Sequence, residues 1–314
     1  MTGSAESDDA DVVFVFPGQG TQWAGMGREL LTTSPVFRTA IEEIDATMAE
    51  FTDWSLVDVL NDAPGAPSLE HADVVQPASF AMMVALARVW ESYGVKPAAV
   101  IGHSQGEIAA AHIAGALTLT DACRISALRS RTIARHLSGH GAMAHASLPA
   151  SAVKEHLTPW TGHLDIAALN GPASTVISGE PTAMDEFLAH LTAQGHRARL
   201  IPVDYASHSH HVESIHTQLL DTIGEITTAT PRIPIHSTLL SRRLTELDAL
   251  DAEYWYQNLR SPVLFHDTIA GLAADGHTHY IEISPHPVLT NAIHDTHEAT
   301  TGEPPALATG TLRR

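Results

Sequence analysis

Ile101-Gly102-His103-Ser104-Gln105-Gly106-Glu107 decides the reading of this chain. The heptapeptide holds a G-x-S-x-G string. An apolar run, Pro97-Ala98-Ala99-Val100-Ile101, precedes it, and a helical pattern from Glu107 to Leu117 follows. Strand, sharp turn and helix in that order form a nucleophile elbow. The turn sets Ser104 at a helix N-terminus with its hydroxyl presented. Side chains at the flanking glycines would collide with the tight turn. The helix end offers N–H groups and a positive dipole end to a developing oxyanion. The bland reading of the same string is a small-residue turn that packs a helix on a sheet.

Working outward, Val12-Val13-Phe14-Val15-Phe16 reads as a buried strand ended by Pro17-Gly18-Gln19-Gly20. Helices are predicted over 26–31, 35–50, 54–60 and 119–136, and a long, mostly apolar one over 77–93. The texture changes at Gly139. Strands at 142–148, 164–169, 174–178 and 196–202 alternate with helices at 150–157 and 181–194. That βαββαβ order is a ferredoxin-like split unit. The fold class is therefore α/β: an α/β-hydrolase-like large domain (12–138 and 203–297) with an inserted ferredoxin-like subdomain (139–202). A polar N-terminal tail (1–11) and a loosely held C-terminal tail (298–314) are expected. The later large-domain strands are predicted near 233–238 and at 278–283, with a last helix after Pro287.

Composition narrows the function. The 314 residues carry a formal net charge of −19, which disfavours nucleic acid and anionic membranes as partners. No apolar run approaches the ~20 residues of a membrane span. One cysteine, Cys123, excludes an internal disulfide and fits a reducing cytoplasm; it reads as a small packing residue. The 21 histidines are scattered. No H-E-x-x-H or Cys/His spacing appears, so no metal site is expected.

A serine nucleophile needs a base. His208, in Asp204-Tyr205-Ala206-Ser207-His208-Ser209, follows a strand in a connecting region where catalytic groups often sit. A neutral imidazole there can take the Ser104 proton and return it to a leaving thiol. On residue pattern alone, His208 reads equally as part of a surface cluster with His210 and His211.

Five segments in order sharpen the reading: Phe16-Pro17-Gly18-Gln19-Gly20-Thr21-Gln22, Gly102-His103-Ser104-Gln105-Gly106-Glu107, Ala127-Leu128-Arg129-Ser130-Arg131, Tyr205-Ala206-Ser207-His208, and Ile283-Ser284-Pro285-His286-Pro287-Val288-Leu289. Together they resemble the acyltransferases of modular polyketide synthases and the malonyl-CoA:acyl-carrier-protein transacylases, over nearly the whole chain. The resemblance implies a ping-pong acyltransferase with no bound cofactor. Its substrates would be a CoA thioester and a phosphopantetheinyl acyl carrier protein, in polyketide biosynthesis. Ser104 would carry the acyl ester. His208 would be base and then acid, oriented by a backbone carbonyl from Asn258–Phe265, with Asn258 the first candidate. The backbone N–H groups of Gln19 and Gln105 would form the oxyanion hole. Arg129 would grip a substrate carboxylate in two-point fashion; its structural alternative is an ion pair. The site should lie in the cleft between large domain and subdomain.

The Tyr205-Ala206-Ser207-His208 form is similar to the methylmalonyl-selecting version of the family. Ser207 in place of a bulky residue leaves room for an α-methyl. Gln76, in Asp73-Val74-Val75-Gln76, goes with the same version, so Gln76, Tyr205 and Ser207 join Arg129 as expected substrate contacts. His71-Ala72, His145 and Ser241-Arg242-Arg243-Leu244 depart from the family pattern. The Met and polar start read as a free-standing enzyme meeting its carrier in trans. An acidic carrier would then dock on a local basic patch, for which Arg242 and Arg243 are candidates. Three other functions stay open: transfer of an uncharged acyl or aminoacyl group between two carriers, thioester hydrolysis, and a non-catalytic docking scaffold.

Overall fold

The computed structural model describes residues 11–314, so the predicted N-terminal tail lies outside the described residues except for Asp11. In chain order, β1 (Val12–Phe16) is followed by α1 (Arg28–Thr33), α2 (Pro35–Met48), α3 (Leu56–Asn61) and α4 (Ala72–Ser92). Then come β2 (Ala99–Gly102), α5 (Gly106–Ile113), α6 (Leu119–His136), β3 (Ala142–Ala146), α7 (Ala150–His156), β4 (Leu164–Gly171) and β5 (Ser174–Gly179). The rest are α8 (Pro181–Ala193), β6 (Ala198–Ile201), α9 (His216–Ile223), β7 (Ile235–Ser237), β8 (Arg242–Arg243), α10 (Ala252–Arg260), α11 (Phe265–Ala274), β9 (His279–Glu282), α12 (Thr290–Thr301) and β10 (Leu307–Gly310).

Two sheets result. The larger has the order β10-β9-β1-β2-β7-β8, parallel except for the β7–β8 hairpin. β1 is its centre, and all five of its residues are buried. A strand buried on both faces reads as a continuous apolar run, as Val12 to Phe16 does. Val12, Phe14 and Phe16 pack into the layer containing α2, α4, α5 and α6. Val13 and Val15 point the other way, onto Ile269 and Leu272 of α11 and Ile293 of α12. The smaller sheet is antiparallel in the order β4-β5-β3-β6, with α7 and α8 covering it through Val153, Met184, Phe187 and Leu191.

Three expectations need correction. α4 begins at Ala72, not at Pro77. Proline is favoured in a first turn. Pro77 instead deprives only Asp73 of its carbonyl partner, and Asp73 is half-exposed, where water serves. α4 is also long and apolar enough to cross a membrane, contrary to the reading of its sequence, but 83% of its most apolar stretch is buried inside the protein. It is the core helix of the larger layer. The C-terminal segment is no loose tail. Residues 307–310 pair in parallel with β9, and Trp90 Nε1 donates to Thr311 Oγ1 at 3.0 Å. The sequence is weak in strand formers there, so the β9 ladder, not propensity, makes β10 a strand.

The smaller sheet packs on the larger one through Ala167, Ala168 and Val176, and a short backbone join adds to this. Leu169 N donates to Val263 O at 2.9 Å, and Val263 N to Ala167 O at 2.9 Å. Val263 thus extends the β4 edge and holds the chain after α10 against the smaller sheet.

α5 crosses the end of the larger sheet at very close range. A Cβ on Gly106 would lie 2.1 Å from Phe16 O, and one on Gly102 would lie 2.2 Å from Glu107 N. Both are backbone atoms that cannot yield without moving the elbow. Gly106→Ala is therefore expected to lower stability by roughly 2–3 kcal/mol, read from the midpoint of urea unfolding. A variant as stable as the parent would show that the crossing is not tight.

Candidate active site

Ser104 follows β2 and precedes α5, with a left-handed backbone at φ 54°. His208 shares that conformation at φ 58°. Non-glycine residues held there cost about 1–3 kcal/mol each and cluster at functional sites. Ser104 Oγ and His208 Nε2 lie 2.9 Å apart. His208 is 4% exposed. Burial pushes its pKa down to about 3, opposed by the hydrogen bond its other nitrogen makes to Ser261. Lowering favours the neutral ring, so the imidazole keeps its lone pair for the serine proton well below the ordinary histidine range.

The ring is oriented by Ser261, not by Asn258. His208 Nδ1 lies 2.8 Å from Ser261 O, and His208 N donates to Leu259 O at 2.8 Å. Asn258 is inside α10. Ser261 is the first residue beyond that helix, extended at ψ 157°, with Pro262 barring another turn. Its carbonyl is therefore swung out of the helix direction. The Val263 join to β4 holds it in place.

Asn258 has a different task. Its Oδ1 accepts from Arg129 Nη1 at 2.8 Å, and its Nδ2 reaches Glu107 Oε2 at 3.4 Å. Glu107 is buried and also accepts from the Tyr254 hydroxyl and from Thr238 Oγ1 at 3.1 Å. Burial raises its carboxyl pKa. Arg129, 1% exposed, has no carboxylate within 4.0 Å among the described residues, and its Nε has no partner. Burial lowers its pKa to about 10, which leaves it charged near neutrality.

The remaining predicted residues surround this pair. Tyr205 donates from its hydroxyl to Gln19 Oε1 at 2.7 Å and accepts from Gln76 Nε2 at 3.1 Å. That clamp fixes Gln19 beside the elbow; a methyl on neighbouring Gly18 would lie 3.7 Å from Ser104 Cβ. Neither Gln19 N nor Gln105 N donates to a protein group among the described residues. Ser207 Oγ contacts Met143 Sδ of β3 at 3.4 Å, and His103 Nε2 lies 2.7 Å from Asn170 Oδ1 of β4. The smaller sheet thus closes one side of the site. The Asn258–Phe265 segment expected from the sequence does supply the orienting carbonyl, through Ser261; sequence reasoning missed Asn170 and Met143, because each arrives from a distant element with no motif of its own.

A model of the acyl transferase domain matches residues 13–314. The chain belongs to the acyl transferase domain family. As a member of that family it is an acyltransferase. It is 52% identical, over its whole length, to a segment making up 9% of erythronolide synthase EryA2 from Saccharopolyspora erythraea. It therefore spans about a tenth of that relative. The acyltransferase domain from module 8 of the salinomycin polyketide synthase superposes with a TM-score of 0.94 at 50% identity, covering 97% of this chain and 71% of that one. The malonyl-CoA:acyl carrier protein transacylase of Xanthomonas oryzae superposes with a TM-score of 0.85 at 28% identity, covering 97% and 95%.

Other sequence motifs of this acyltransferase turn out to be structural. Glu282 is buried and accepts from Val288 N at 2.8 Å and Leu289 N at 2.7 Å, which shapes the Ile283–Leu289 turn. Cys123 is buried and burial pushes its thiol up to about 12, which suits packing rather than reactivity. Arg242 is not a free docking cation: it binds Asp248 in two-point fashion at 2.8 and 2.6 Å, which neutralises it. Arg243 is exposed.

The neutral His208 has a kinetic consequence. Inactivation of Ser104 by a sulfonyl fluoride should stay flat as pH falls from about 8 to about 5.5, because the ring does not charge in that window. Stopped assays at each pH would read the rate. A fall with an apparent pKa near the ordinary ~6.5 would show that burial does not hold the ring neutral.

Proposed function

We propose that this chain moves a methylmalonyl-type or malonyl group from coenzyme A to the phosphopantetheine thiol of an acyl carrier protein, through an ester on Ser104. Arg129 carries the reading. A buried cation hydrogen-bonded to one amide oxygen, with the Glu107 carboxylate acting on it only from beyond contact distance, costs several kcal/mol. A ligand carboxylate supplies the missing counter-charge and can take two guanidinium N–H bonds at once. An uncharged acyl group would leave that cost in place, which disfavours transfer of non-carboxylated chains between carriers.

The residues divide the steps. Ser104 Oγ attacks the thioester carbonyl as His208 Nε2 takes its proton. The carbonyl π-electrons move to oxygen, and the N–H groups of Gln19 and Gln105 are the donors proposed to receive it. Collapse breaks the C–S bond, and His208 returns the proton to the CoA sulfur. The carrier thiol then gives its proton to His208, attacks the ester carbonyl, and Ser104 leaves as a hydroxyl. In both halves the imidazolium donates a hydrogen bond from its Nδ1–H to Ser261 O and keeps that proton. A carbonyl dipole suffices for that, with no second carboxylate near an anionic substrate.

Ser207 is assigned the α-substituent. One methyl in a pocket discriminates by only ~1–3 kcal/mol, so preference for methylmalonyl over malonyl should be modest. Gln76 and Tyr205 support the same wall through the Gln19 clamp. Of the two expected docking arginines, Arg243 is left to meet an acidic carrier. A reducing, cytoplasmic setting goes with the single buried cysteine.

Intact-protein mass after mixing with methylmalonyl-CoA, malonyl-CoA or an acyl-loaded carrier tests the proposal. A CoA-derived adduct absent from Ser104→Ala is expected. An adduct only from the loaded carrier would sink the reading. Arg129→Ala should lower kcat/KM for both CoA esters by roughly 100-fold or more, from loss of a buried charge pair, and Arg129→Lys should recover only part. Ser207→Phe should move competition between the two esters toward malonyl by roughly tenfold. An unchanged product ratio would remove Ser207 from the pocket.

A further inference from the structure

Beside the active site, and outside it, Glu180, His210 and His211 converge. One ligand atom from each lies within 4.8 Å of the other two. Glu180 precedes α8 at the end of β5. His210 and His211 open the 3₁₀ helix His210–Ile215, which begins two residues after His208. All three are half-buried.

The surroundings are those of ligands held in advance. Asp165 Oδ2 accepts from His210 Nδ1 at 2.7 Å and from His210 N at 2.9 Å. This fixes the proton on Nδ1 and leaves Nε2 as the free ring nitrogen. A carboxylate behind an imidazole is the usual device for orienting a metal-bound histidine. Glu180 has its own support, with His163 Nδ1 3.0 Å from Oε1. The Glu180 carboxylate and the Asp165 carboxylate behind His210 together bring two negative charges, which a dication matches.

We propose that Glu180, His210 and His211 form a divalent transition-metal site of the zinc class, with Asp165 and His163 supporting two of the ligands from behind. The donor set is one that zinc accepts, at ~2.0–2.2 Å for nitrogen and carboxylate oxygen, with a fourth position for water. Side-chain rotation draws the three donors in from their present spacing. Imidazole donors also admit nickel or copper, so the class is set by the ligands and not by one element. Occupancy ties the end of β5 to the segment carrying His208. Ion binding is thereby coupled to the rigidity of the base. No sequence spacing shows the site, because 30 residues separate its carboxylate from its histidines.

The test is calorimetric titration of the chelator-treated whole chain with zinc chloride. One zinc per chain is expected, with a rise in melting temperature. Glu180→Gln with His211→Ala should weaken that event at least tenfold, and Asp165→Asn should weaken it by roughly 10–100-fold, as loss of an outer partner does. His156→Ala serves as the control, since His156 Nδ1 lies 3.2 Å from His190 Nε2 in a separate cluster. An event unchanged in the double variant, or one lost in His156→Ala, would overturn the assignment. Cobalt substitution of the unmutated chain gives a second readout that does not depend on variants folding. Intense visible bands of a tetrahedral ion are expected, and a weak spectrum of the hydrated ion would overturn the proposal.

Discussion

The close crossing of α5 over the ends of β1 and β2 is the constraint on which the rest depends. With backbone only 2.1–2.2 Å from where side chains would begin at Gly102 and Gly106, the chain must reverse at Ser104 in a left-handed conformation. The turn presents the hydroxyl and turns the start of α5 toward it. The strain at Ser104 is held by packing on both faces of the sheet, where Val13, Val15, Phe14 and Phe16 leave no room for adjustment. A well-packed interior resists small shifts of this kind.

Buried polar groups then tie the site to the fold. Glu107, in the first turn of α5, collects Tyr254, Thr238 and Asn258. Asn258 in turn holds Arg129. The buried Glu107 carboxylate and the Arg129 guanidinium are not in direct contact, and Asn258 stands between them. Glu107 is satisfied by neutral donors, and Arg129 keeps its charge for something else.

The base is organised by backbone. Ser261 can face His208 only because α10 stops at Arg260, Pro262 prevents another turn, and Val263 is captured by β4. Three separate constraints meet on one carbonyl. The smaller sheet is thus part of how the imidazole is aimed, and it also supplies Asn170 to His103 and Met143 to Ser207. The proposed metal site lies on the same seam.

The choice of His208 as partner of Ser104 came from the set of motifs taken together, while local pattern by itself determined the elbow, the α/β class and the βαββαβ order. Each of these is written in neighbouring residues: small residues at a sharp turn, a five-residue apolar run, alternating strand and helix signals. Arg129 was legible through its motif, but that no carboxylate among the described residues touches it was not, because that is a property of packing. Tertiary structure alone decided that Ser261 rather than Asn258 orients the base, that Asp248 neutralises Arg242, and that residues 307–310 form an edge strand. In each case the deciding partner is distant in sequence or belongs to another element, or the decision turns on where a helix stops. Sequence period records which face a residue shows; it does not record what stands opposite.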